Sequence, residues 1–114
     1  MIDEYSFGKM VVDGEVYNKD LIITPEKVIP NWWRGKGHKL QIKDLQEVLE
    51  EQKPEILVVG KGKFGMLKIS KEMENYLQEQ DIVLYEKESG KATQKFNKFL
   101  NEGRKVIGAF HLTC

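Results

Sequence analysis

Cysteine is almost missing from this chain of 114 residues: Cys114, the last residue, stands alone. An internal disulfide and any multi-cysteine zinc or iron–sulfur centre are thereby excluded. Histidine is nearly as scarce. His38 and His111 are too few and too far apart for a histidine-based metal site. No apolar run approaches the ~20 residues that span a bilayer. The opening MIDEYSFGKM carries acids and has no apolar core, so it does not read as a secretory signal. It also lacks the Arg-rich, acid-poor character of an import leader. Excess charge of one sign is missing too, since 18 basic residues balance 18 acidic ones. There is no global field to gather nucleic acid or an anionic membrane, and neither is expected as a partner. A lone thiol fits a reducing compartment, which makes the expected location cytoplasmic.

What is present suits one domain. Hydrophobic residues make up 40% and charged residues 32%, the balance of a globular chain. A chain of this length buries roughly two thirds of its unfolded surface, enough core without staples. The first third reads as strands and turns. Lys9 to Asp13 is β-prone, Asp13-Gly14 is a hairpin signal, and Glu15 to Tyr17 returns. Leu21-Ile22-Ile23 and Val28-Ile29 follow, then Trp32-Trp33 and the loop Arg34 to Lys39.

From Gln41 the rhythm becomes helical, with Ile42, Leu45, Val48 and Leu49 on one face. Lys53-Pro54 stops that helix. Ile56 to Val59, Ile82 to Tyr85 and Val106 to Phe110 are continuous apolar runs of the kind buried in parallel sheets. Between them lie two further helices. One is capped by Ser70, with Met73, Tyr76 and Leu77 inward. The other carries Ala92, Phe96, Phe99 and Leu100 and ends at Gly103. The expected fold is therefore α/β: a three-layer single domain over residues 1–114, with a mixed central sheet. It combines a C-terminal β-α-β-α-β unit with an N-terminal antiparallel strand portion.

One motif carries chemical interest. VVGKGKFG, residues 58–65, holds a literal G-x-G-x-x-G after a predicted strand, and Glu86 stands 21 residues beyond Gly65. That is the layout of a dinucleotide fingerprint. Against it, Met66 to Ile69 reads as extended, so the helix opens at Ser70 instead of within the glycines. The alternative reading is a glycine turn needed for positive φ or close packing. Two acid-free basic stretches keep an anion site open. Lys27 to Lys43 contains Lys27, Arg34, Lys36, Lys39 and Lys43, and Lys61 to Lys71 contains Lys61, Lys63, Lys68 and Lys71. If they converge, they form a basic patch beside Trp32 and Trp33. Of adjacent tryptophans, one is expected in the core and the other half-covered. Gly60, Lys61, Gly62, Lys63 and Arg34 are the candidate residues for a small anionic ligand. Cys114 with His111 three residues before it is a weaker thiol candidate. In an extended strand the two point to opposite faces. No triad order, nucleophile elbow or carboxylate pair is found. No catalytic residue, metal site or cofactor is assigned.

A resemblance adds to this. LVVGKG, the N-terminal VDGEVYNKDLIITPEKVIPNWW and the C-terminal KATQKFNKFLNEGRKVIGAFHLTC together resemble a small single-domain family of uncharacterised function. That family includes the adipogenesis-associated domain-containing protein and a mitochondrial complex I assembly factor. The ending FHLTC is most similar to the adipogenesis-associated branch. The resemblance implies a three-layer α/β domain, no established catalytic residue or cofactor, and roles in assembly or regulation through protein partners. The matching positions are Gly60, Gly62, Asn97, Gly103, Arg104 and Val106, and a site is expected where those segments meet, with Asn97 and Arg104 added to the candidate anion-binding residues. The expected function is a non-enzymatic interaction, regulatory or assembly domain, open to homo-oligomerisation. The alternative is a small-molecule module or enzyme with a phosphorylated or nucleotide ligand at residues 60–65.

Overall fold

Ten strands and three helices build the molecule, described over residues 1–114 by a computed structural model. In chain order they are β1 Ile2–Ser6, β2 Lys9–Val12, β3 Glu15–Tyr17, β4 Leu21–Ile23, β5 Val28–Ile29 and β6 Lys39–Leu40. Then come α1 Ile42–Gln52, β7 Ile56–Lys61, β8 Lys68–Ile69, α2 Lys71–Glu79, β9 Val83–Lys87, α3 Ser89–Asn101 and β10 Val106–His111. The central sheet runs β5-β4-β10-β7-β9. Its strands β10, β7 and β9 are parallel, and β4 and β5 add on antiparallel. The sheet is mixed, as the apolar runs predict.

Alternation along the strands divides the core. Leu57 and Val59 of β7, with Ile107 and Ala109 of β10, face α1 and α2, where Leu45, Leu49, Met73 and Leu77 fill the layer. Ile56 and Val58, with Val106 and Phe110, face the other way against Ala92 and Phe96 of α3. The same second layer takes Ile2, Met10 and Val12 from a separate antiparallel sheet, β1-β2-β3. Three layers result, with helices on both faces. Each fully buried side chain of the Leu, Ile or Phe kind contributes about 1.5–3 kcal/mol by leaving water.

Local signals act as read. Asp13 (φ 47°) and Gly14 (φ 84°) both take positive φ, the two-residue turn whose twist suits a hairpin. Ser70 Oγ accepts from the Met73 amide at 3.0 Å. Gly103 (φ 77°) closes α3, with its amide bonded to Leu100 O and the Arg104 amide to Phe99 O. Lys68-Ile69 is extended, and pairs with β6.

Candidate functional site

Three parallel strands deliver their C-termini to one edge of the central sheet. His111 stands in register with Lys61, and Gly60 with both Phe110 and Lys87. In open α/β sheets this carboxyl edge is where ligands bind. The glycine loop leaves β7 there. Its geometry is governed by close approach. A Cβ on Gly60 would lie 2.6 Å from the Phe110 ring and 2.8 Å from Ser89 Oγ. A Cβ on Gly62 (φ 92°) would lie 2.6 Å from Thr113 O and 2.8 Å from His111 Cδ2.

Three of the loop's amides are engaged within the chain. Gly62 N–H donates to Ser89 Oγ at 2.9 Å, Lys63 N–H to Thr113 O at 2.8 Å, and Gly65 N–H to Gly62 O at 3.2 Å. Ser89 Oγ in turn donates to His111 O at 2.6 Å, tying the helix start to the strand end. Glu86, placed like the acid of a dinucleotide site, accepts from Lys61 Nζ at 3.0 Å. None of four surface clefts of 350–440 Å³ is lined by residues 60–65.

Beside this loop lies a buried cluster that sequence spacing does not announce. Asp20, Arg34 and His111 come from the turn before β4, the loop after β5 and the end of β10. Asp20 Oδ1 accepts from the Leu112 amide at 2.8 Å, and Oδ2 lies 2.8 Å from His111 Nδ1. Arg34 Nη1 is also 2.8 Å from Asp20 Oδ2, close enough for an ion pair but not aligned as a hydrogen bond. Arg34 Nε and Nη2 donate to Gly37 O, and the guanidinium stacks 4.7 Å above the Trp32 ring. Burial pushes the Asp20 carboxyl up. Bonds from His111 and the Leu112 amide, with the charges of His111 and Arg34, outweigh it and hold the carboxyl below its ordinary value.

His111 Nδ1 also lies 3.1 Å from Arg34 Nη2. One nitrogen cannot serve both neighbours. A bare lone pair 2.8 Å from a carboxylate oxygen repels it, so the proton belongs on Nδ1, donated to Asp20.

The two basic stretches do converge. β6 and β8 pair in parallel, setting Lys39 opposite Lys68 and Leu40 opposite Ile69. Lys68 N–H donates to His38 O at 2.8 Å and Ser70 N–H to Leu40 O at 3.0 Å. None of the chain's six ion pairs involves Lys36, Lys39, Lys63 or Lys68. Trp33 (84% exposed) and Phe64 (67%) are the most exposed large apolar side chains, and Met66 joins them. Trp33 is thus bare, not half-covered. Trp32 takes the core position, and its Nε1 donates to Asp44 O.

Asn97 and Arg104 lie elsewhere. Asn97 exchanges two hydrogen bonds with the Ile2 backbone, at 2.9 and 2.8 Å, fastening α3 to β1. Arg104 pairs with Glu55 at the opposite, amino edge of the sheet. The segments named by the resemblance therefore do not form one site. Cys114 is exposed, whereas His111 is buried. No group of three His, Cys, Asp or Glu side chains is arranged to hold a metal.

The sequence pattern of a family described as a protein of unknown function (DUF498/DUF598) matches residues 2–111. The chain belongs to that family. Solved structures agree with the fold. A conserved hypothetical protein from Pyrococcus horikoshii is 25% identical, with 100% of this chain and 99% of that one covered and a TM-score of 0.84. A protein from Bartonella henselae described as an outer membrane protein is also 25% identical, covered 99% and 94%, with a TM-score of 0.83. A Mth938-like domain from Bordetella pertussis is 18% identical, covered 98% and 85%, with a TM-score of 0.79. The fold is Mth938-like. No helix of this chain is long and apolar enough to cross a membrane.

Proposed function

We propose that the chain is a non-enzymatic interaction domain, regulatory or assembling in role, that docks an acidic protein partner on its paired basic loops. The observation carrying this is the β6–β8 ladder. It unites two acid-free loops and sets Lys39 against Lys68, and the same two loops expose Trp33 and Phe64. Like charges directly opposite in a ladder repel, and a carboxylate-rich partner relieves them. Exposed aromatics supply the anchors: tryptophan is enriched where interfaces concentrate their energy. The lysines would steer encounter and make association salt-sensitive. Placement in the adipogenesis-associated branch, and in the cytoplasm, belongs to the same proposal.

The engaged amides of Gly62, Lys63 and Gly65 favour this reading over a nucleotide loop. The test is quantitative capture from the native host, comparing wild type with Trp33→Ser/Phe64→Ser. The purified partner is then titrated against both. The expected result is an acidic partner bound by wild type, weakened at least tenfold in the variant and by added salt. A partner bound equally by both, or anionic vesicles bound where no protein is, contradicts the proposal.

A further inference from the structure

Three buried side-chain polar atoms lack a hydrogen-bond partner: Arg34 Nη1, Gln41 Oε1 and His111 Nε2. Two of them, Arg34 Nη1 and His111 Nε2, belong to one corner. Arg34 Nη2 lies 3.1 Å from His111 Nδ1, and Arg34 Nη1 lies 2.8 Å from Asp20 Oδ2. An unsatisfied buried polar group keeps the full cost of leaving water, so folded chains retain few. The bare, buried Nε2 of His111 beside this charged cluster marks a site completed by something else.

We propose that this corner binds a small oxyanion, with His111 Nε2–H and Arg34 as donors and His111 taking up a proton as the anion enters. The proton position argued above carries the chemistry. With Nδ1–H given to Asp20, a neutral ring offers only a lone pair at Nε2, whereas the imidazolium offers an N–H. The groups around the ring decide which ligand suits it. Asp20 and Arg34 offset one another, and Lys61 on the neighbouring strand is paired with Glu86. The Tyr5 hydroxyl donates to Leu112 O, beside the ring's own strand end. His38 packs edge-on at 5.9 Å. A second cation there is unfavourable alone and favourable with an anion. Proton and anion therefore bind together, each raising the other's affinity.

The approach is short. His38 is exposed and covers the His111 ring, so its rotation opens the corner without disturbing the core. On the other side Gly62 packs directly against the ring, where a Cβ would lie 2.8 Å from His111 Cδ2 and 3.0 Å from Cys114 O, so the His38 side is the way in. The site is separate from the docking face proposed above. Trp33→Ser/Phe64→Ser should leave it intact, so the two readings fail independently.

The test is thermal stabilisation by sodium sulfate at constant ionic strength, with phosphate and acetate as further arms to separate tetrahedral from carboxylate preference. Sulfate keeps its charge across the histidine range, so any pH dependence belongs to the protein. Where the unliganded ring is neutral, sulfate affinity should fall about tenfold per pH unit, the slope of one linked proton. His111→Asn keeps a donor toward Asp20 and deletes Nε2; it should fold and lose the sulfate response. Should that variant not fold, long-range 15N correlation spectra of wild type decide. Sulfate should then shift His111 Nε2, and not His38, to the protonated form. A pH-independent response, an equal response in a folded His111→Asn, or no change at His111 overturns the inference.

Discussion

The two edges of the central sheet each hold an arginine paired with a carboxylate, and they differ in almost everything else. At the amino edge, Arg104 Nε meets Glu55 Oε1 at 3.1 Å with side chains 43% and 55% exposed. At the carboxyl edge, Arg34 meets Asp20 at 2.8 Å with exposures of 5% and 17%, and His111 completes the group. An exposed pair is screened by water and contributes little. A buried one is held by mutual need, because removing either member strands the other. The first fastens the turn between α3 and β10 to the residue before β7. The second ties β4, the loop after β5 and β10 together. The same chemical pair is therefore a minor fastening at one edge and the foundation of the candidate site at the other.

The largest effect that sharpens this contrast is Asp20→Ala, which leaves the Arg34 charge buried without its partner. A loss of about 3–5 kcal/mol in urea unfolding is expected, while Glu55→Ala should leave the midpoint unchanged within error. The contrast extends to acid. The Asp20 carboxyl titrates below its ordinary value of 3.8 when folded, so its stabilisation is present above that value and is lost as pH falls through the lower folded one. Glu55 is lowered in the same direction, by the Lys105 amide and then Arg104, but lies open to solvent. Asp20→Asn should therefore flatten the acid limb of the stability profile far more than Glu55→Gln. Equal flattening would erase the distinction between the edges.

A smaller effect separates two glycines of one loop. Gly62→Ala drives a Cβ against Thr113 O and His111 in a positive-φ conformation, and should cost about 2–3 kcal/mol. Gly65→Ala, also at positive φ but in open space, should cost about 1 kcal/mol. Urea midpoints of the two variants check the order, and a reversed order would mean that φ alone governs the loop.

Much of this architecture was legible in the sequence because its signals are local. Apolar runs marked β7, β9 and β10, Ser70 and Gly103 marked helix ends, and Lys68-Ile69 read as extended, which already argued against a dinucleotide loop. β1 was not legible: Ile2 to Ser6 is short and acidic, and its pairing with β2 comes from burying Ile2 and Met10 against α3. The buried cluster was not legible either. Asp20 and His111 are 91 positions apart, and no spacing rule joins a turn aspartate to a strand-end histidine. Arg34 was singled out as a loop cation, but its burial beneath Trp32 depends on tertiary packing. The convergence of the lysine loops was posed by composition and decided by a two-residue ladder too short to predict.

The measurement that tests the account most directly is hydrogen–deuterium exchange of the protein with and without its captured partner. The account predicts protection concentrated in residues 31–39 and 61–68, with residues 102–105 at the amino edge unchanged. Protection centred on the amino edge, with the paired loops exchanging as in the free protein, would contradict it.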